Sequence, residues 1–104
     1  MRRLVWNFIV IEESDALLLK HFCNHSNVRK SAWAKHNSGV NNSCPHYHFC
    51  FLLNKHMNCY EFIRESGFNF EEEDIPSPSF DVLLNYLKKQ HTEQDILVIN
   101  GKRM

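Results

Sequence analysis

The sequence alternates segments typical of β-strands with segments typical of amphipathic helices, and this order limits the fold more than any other feature. The strand-like segments are rich in β-branched and aromatic residues, and they cover residues 3–11, 28–36, 46–53 and 96–99. Helix-like segments lie between them. One begins at Ser14 as its N-cap, one covers residues 59–66, and one begins at Ser79 or Asp81. The order predicts an α+β fold, in which helices lie on the faces of a central antiparallel β-sheet.

Local signals refine this prediction. Residues 3–11 contain so many apolar residues that they predict a buried central strand. The Asn-rich and Gly-containing stretch 37–43 predicts a loop that joins two antiparallel strands as a hairpin. Asn58 is placed to cap the second helix and Gly67 to end it in a left-handed conformation. A further short strand is predicted at 68–70.

Length and composition favour one compact, soluble intracellular domain. The chain has 104 residues, 43% of them apolar, with only three Gly and three Pro, and it contains neither a long apolar span nor a signal-peptide pattern. Its four cysteines are therefore expected to be reduced thiols. Residues 1–55 carry seven Lys and Arg against three Asp and Glu, whereas residues 56–104 carry five against nine. The basic half is compatible with nucleic acid as a partner.

The segment Cys44-Pro45-His46-Tyr47-His48-Phe49-Cys50 is the first candidate for chemistry. Alternate residues of a strand share a face, so His46 and His48 are predicted to project together and to chelate one divalent ion. A pair of His with this spacing also arises by chance in a chain with seven His. A third alternative is a structural zinc site that includes Cys44 and Cys50.

The second candidate lies on the last predicted helix. Tyr86, Lys89 and Gln90 are spaced at i, i+3 and i+4, so they face the same way and suit a nucleophile with its supporting groups. The alternative is a half-buried tyrosine above a solvated pair of lysines at a helix C-terminus.

Together these motifs resemble the HUH single-strand DNA endonucleases, in particular the nuclease domain of viral replication initiators of the parvovirus and circular single-stranded DNA virus kind. Three segments match in the family's order: Leu4-Val5-Trp6-Asn7-Phe8, Pro45-His46-Tyr47-His48 and Tyr86-Leu87-Lys88-Lys89. The resemblance covers essentially the whole chain, and it implies the family's fold.

The resemblance implies nicking and joining of single-stranded DNA at a viral origin, through a 5′-phosphotyrosine on Tyr86. Lys89 would assist this step, and His46 and His48 would hold one Mg²⁺ or Mn²⁺ ion. The family's third ligand is commonly acidic, but residues 28–45 contain no Asp or Glu. By resemblance to other branches of the superfamily, His36 is the favoured third ligand and Gln90 the other candidate, and water or another side chain is the remaining alternative. If Tyr86 is not the nucleophile, the chain's other two tyrosines come next.

The expected partner is single-stranded DNA or an origin hairpin, with no membrane partner. The residues expected to contact DNA are Trp6, Asn7, Arg29, Lys30, Lys35 and Lys88. The resemblance further implies a host-nuclear viral protein in which residues 1–104 form one nuclease domain ahead of a helicase domain, with oligomers only in the full-length protein. Two alternatives remain: a single-tyrosine DNA transposase of the same superfamily, and a non-catalytic module that binds single-stranded DNA or zinc.

Overall fold

A computed structural model describes residues 2–37, 45–71 and 78–104. Within these ranges the chain forms five strands and three helices. The strands are β1 (Arg3–Val10), β2 (Val28–His36), β3 (His46–Met57), β4 (Ile96–Ile99) and β5 (Lys102–Arg103). The helices are α1 (Glu13–Phe22), α2 (Cys59–Ser66) and α3 (Phe80–Gln90).

The strands form a single antiparallel sheet in the order β1-β3-β2-β4-β5. This arrangement confirms the predicted α+β fold. It also corrects the prediction that the first strand is central, because β1 lies at an edge and pairs with β3 alone. Only one face of β1 is fully buried. Trp6 and Val10 lie in the core on that face, whereas Ile9 on the other face is 67% exposed.

The two faces of the sheet have separate cores. On one face, helices α1 and α2 cover the odd-numbered residues of β3, and the buried side chains include Leu19, Phe22, Phe49, Phe51 and Phe62. On the other face, α3 covers a smaller cluster made of Ala32, Ala34, Cys50, Phe80, Leu87 and Leu97. Because side chains alternate along a strand, every even-numbered residue from His46 to Leu52 belongs to the α3 face.

Capping explains where α2 begins and ends and where α3 begins. The Asn58 side chain accepts from the Glu61 amide and the Glu61 side chain accepts from the Asn58 amide, which is a complete capping box. Gly67 ends α2 with a φ of 76°, as predicted. Ser79 caps α3 by accepting from the amide of Val82.

Helix α1 begins differently from the prediction. The N-cap predicted at Ser14 is wrong, because the helix starts at Glu13 and Glu12 is its N-cap, with no side-chain cap. Ser14 therefore lies in the first turn. Glu13 and Asp15 place negative charge in the same turn, which suits the positive end of the helix dipole.

The remaining differences from the predicted elements are small. Strand β3 continues to Met57, four residues beyond the predicted end. Residues 68–70 form no strand in the described part of the chain. Most of the predicted 37–43 loop lies outside the described residues. The unpredicted strand β5 follows a tight turn in which Asn100 and Gly101 have φ values of 49° and 83°. Among the described helices, none has the length and apolar character needed to span a membrane.

Candidate metal centre

Three histidines meet at one end of the sheet. His36 is the last residue of β2 and pairs directly with His46, the first residue of β3. His48 lies two residues further along β3, so its side chain shares a face with that of His46. One potential ligand atom from each of the three residues lies within 4.8 Å of the others. The structure therefore brings His36 to the predicted His pair, across the strand pairing.

This cluster, which we call the His triad, lies on the face of the sheet that α3 covers. His46 and His48 continue the even-numbered row of β3 that includes Cys50, and Cys50 packs with Phe80 and Leu87 of α3. Helix α3 also carries Tyr86. The predicted ligands and the predicted nucleophile thus belong to the same side of the sheet.

His36 is the most constrained member of the triad. It is 7% exposed, and its Nδ1 lies 3.2 Å from the Oδ2 atom of Asp95. An ionised carboxylate only accepts hydrogen bonds, so this contact is a hydrogen bond in the tautomer that has hydrogen on Nδ1. Nε2 is then left with its lone pair, and this atom is buried without a hydrogen-bond partner among the described residues. An unpartnered buried nitrogen beside two other imidazoles suits a metal ligand.

The environment keeps His48 neutral. Burial, followed by the proximity of His36 and His46, lowers the pKa of His48 from 6.5 to about 4. Neutral imidazole is the form that binds metal ions. His48 is therefore ready to act as a ligand at neutral pH without first losing a proton.

Asp95 is the site residue that sequence reasoning missed. It is buried just before β4, and its carboxylate accepts from the amides of Asn37 and Thr92 as well as from His36. Burial raises the pKa of Asp95, but the hydrogen bonds from Asn37, His36 and Thr92 outweigh it and hold the pKa below its ordinary value. No local sequence pattern marks Asp95: Lys35 pairs with Ile96, and this register of β2 with β4 brings Asp95 beside His36.

The predicted catalytic residues lie near the C-terminal end of α3. Tyr86 is 54% exposed, whereas its neighbour Leu87 is buried against the sheet. Lys88, Lys89 and Gln90 are also exposed. Of the two candidates for the third ligand, His36 has a ligand atom within 4.8 Å of those of His46 and His48.

The other two tyrosines lie on the opposite side of the sheet. Tyr47 is 3% exposed, and its hydroxyl donates to the carboxylate of Glu13 on α1. Tyr60 is 72% exposed on α2, which packs on the same face as α1 through Phe62. Tyr86 is thus the tyrosine that α3 carries on the side of the His triad.

Two of the residues expected to contact DNA have partners within the fold. Trp6 is buried, with its ring packed against Phe62 and its indole nitrogen donating to the Arg3 carbonyl, so the ring has no free face for a base. Lys35 lies on the face opposite the His triad, where it pairs with Glu13 at 3.3 Å. Both residues serve packing and pairing in the fold.

The other predicted DNA contacts are exposed. These residues are Asn7, Arg29, Lys30 and Lys88. Asn7 pairs with Cys50 on β3, and Ile9 pairs with His48. The face of β1 that bears Asn7 and Ile9 therefore lies beside the His triad. An exposed polar and apolar strip therefore borders the candidate site.

Cysteine takes no part in the His triad among the described residues. Cys50 is a free thiol buried in the α3 cluster, and burial raises its pKa to about 12. Cys23 and Cys59 are also free, and Cys44 lies outside the described residues.

Comparison of the chain with protein-family models, curated proteins and solved structures gives no match. Function is therefore inferred from the geometry of the site and from the sequence motifs.

Proposed function

We propose that this chain is the nuclease domain of an HUH replication initiator, which nicks and joins single-stranded DNA at a viral origin through a 5′-phosphotyrosine on Tyr86. One observation carries the proposal: three histidines, with one ring nitrogen each within 4.8 Å of the others, lie on the sheet face covered by the helix that bears Tyr86. The motif order of the sequence supports the same function.

The donor set argues for a transition metal in this site. His36, His46 and His48 would hold the ion through three neutral nitrogens, and the buried Nε2 of His36 fits this role. Mg²⁺ prefers oxygen ligands and keeps much of its water shell, whereas Mn²⁺ is a first-row transition metal and accepts imidazole nitrogen more readily than Mg²⁺ does. We therefore favour Mn²⁺ over Mg²⁺. When bound, the ion supplies Lewis acidity that polarises a phosphate oxygen.

In this proposal, Tyr86 and Lys89 carry out the covalent step. The phenolic oxygen of Tyr86 forms a bond to the scissile phosphorus and loses its proton to solvent. The bond from phosphorus to the 3′-oxygen breaks, and that oxygen takes up a proton to become a free 3′-OH. Lys89 offsets negative charge that develops on the phosphate. An incoming 3′-OH reverses the step and joins strands, because the phosphotyrosine bond retains the energy of the original diester.

Exposed residues beside the triad offer a path for DNA. Asn7 and Ile9 form the outer face of edge strand β1, next to Cys50 and His48. Unpaired bases have open faces and edges that such side chains contact. This position supports a single strand as the substrate, presented at an origin hairpin. A host-nuclear location and a following helicase domain belong to the same proposal.

The test is formation of a covalent adduct. Purified protein is mixed with labelled single-stranded oligonucleotides, including viral origin hairpins, with Mn²⁺ or with EDTA, and is separated on a denaturing gel. An adduct that requires Mn²⁺, is lost in Tyr86→Phe and is kept in Tyr60→Phe supports the proposal. An adduct that survives in Tyr86→Phe, or its absence from folded protein across the whole pool, contradicts it.

A further inference from the structure

We propose that Asp95 is a positioning residue of the His triad, which fixes the tautomer and orientation of His36 so that its Nε2 lone pair faces a metal ion. This inference rests on the proposed function in its metal-binding part. It follows from the hydrogen bonds around Asp95 and from the unpartnered nitrogen of His36.

His36 and Asp95 form a buried contact. His36 Nδ1 and Asp95 Oδ2 are 3.2 Å apart, and their side chains are 8% and 2% exposed. Because both side chains are buried, water competes little for this hydrogen bond. Because the carboxylate cannot donate, the contact selects the tautomer with hydrogen on Nδ1.

Two backbone amides hold the Asp95 carboxylate in place. Its Oδ1 accepts from the Asn37 amide at 3.0 Å, and its Oδ2 accepts from the Thr92 amide at 3.2 Å. The carboxylate is therefore tied to the end of β2 and to the turn before β4. Its oxygens cannot rotate away from His36 without breaking these bonds.

This arrangement leaves Nε2 as the ligand atom of His36. With Nδ1 occupied, Nε2 keeps its lone pair, and it is buried without a partner in the described part of the chain. A carboxylate behind a ligating imidazole also makes that imidazole a stronger donor, and loss of such a partner typically weakens metal binding about 10- to 100-fold.

The first experiment uses the protein without metal. Long-range ¹H–¹⁵N correlation spectra of the wild type report the tautomer of His36 when the ring is neutral. We expect hydrogen on Nδ1 in the wild type and a shift toward hydrogen on Nε2 in Asp95→Asn. A wild-type His36 with hydrogen on Nε2 overturns the inference, whatever the variant does.

The second experiment measures affinity for Co²⁺, which binds nitrogen sites more tightly than Mn²⁺ does. Asp95→Asn should bind Co²⁺ about 10- to 100-fold more weakly than the wild type. Asp81→Asn, which changes an exposed aspartate in the first turn of α3, should bind as the wild type does. Equal affinity in folded Asp95→Asn and wild type overturns the inference. Failure of the wild type to bind Co²⁺ instead contradicts the metal site of the proposed function. In that case the metal-free tautomer experiment still tests whether Asp95 positions His36.

Discussion

The hydroxyl of Tyr47 donates its one hydrogen to the carboxylate of Glu13, whose two oxygens lie 3.0 and 2.9 Å from the hydroxyl oxygen. Tyr47 is the residue between His46 and His48, and it points to the opposite face of the sheet. The hydrogen bond from Tyr47, followed by that from Lys35, holds the pKa of Glu13 below its ordinary value. The first turn of α1 therefore anchors the part of β3 that carries two members of the triad.

Tyr47→Phe tests this anchor. The variant keeps the ring and removes the hydroxyl, so we expect the midpoint of thermal unfolding to fall by a few degrees. Tyr60→Phe, at an exposed position, is the matched control and should leave the midpoint unchanged. Equal midpoints for Tyr47→Phe and wild type would show that the contact adds no stability.

The stability of the metal-free protein should depend on the protonation of His48. Its pKa is about 4 in the folded chain against an ordinary value of 6.5, so the unfolded chain binds the proton first as the pH falls. The free energy of unfolding should therefore fall as the pH drops from about 6.5 to about 4, and protonation of His48 should cause no further change below that pH. Urea unfolding in the presence of EDTA, at a series of pH values, measures this free energy.

His48→Gln should flatten this pH dependence, because Gln has no proton to bind in that range. The matched control is His56→Gln at an exposed position on β3. A pH profile of His48→Gln that coincides with the wild-type profile would exclude His48 as its source.

Loss of a triad ligand should remove activity and leave the fold. His46→Ala is expected to reduce Mn²⁺-dependent adduct formation by more than about 100-fold. Loss of a residue that only supports a ligand typically costs about 10- to 100-fold, and loss of the ligand itself should cost more. EDTA should do the same to the wild type. Circular dichroism should show an unchanged thermal transition in each case, since the sheet has two apolar cores without the metal. Unfolding on EDTA would indicate a structural metal site instead.

Trp6 should matter for stability and not for DNA. Its ring is buried among aromatic residues, so Trp6→Phe should lower the free energy of unfolding by roughly 1 to 3 kcal/mol through lost packing. The affinity of the folded variant for a single-stranded oligonucleotide should match that of the wild type. Fluorescence anisotropy measures this affinity, and a selective loss of binding would restore Trp6 as a DNA contact.

Much of the fold could be predicted from local sequence. The capping residue Asn58, the left-handed Gly67 and the N-cap Ser79 each act on residues close to them in the chain, so short patterns define α2 and the start of α3. The alternation of a strand likewise determines that His46 and His48 share a face. These features depend on neighbours along the chain, and the residues themselves carry the information.

Strand order and register required the tertiary structure. The apolar run of β1 is compatible with a central or an edge strand, and only the pairing with β3 alone identifies the edge. The same holds for the site: His36 reaches the His pair through the β2–β3 register, and Asp95 reaches His36 from a position 59 residues away through β2–β4 pairing. Such contacts depend on which strands become neighbours, and that choice is made by burial over the whole domain rather than by any local segment.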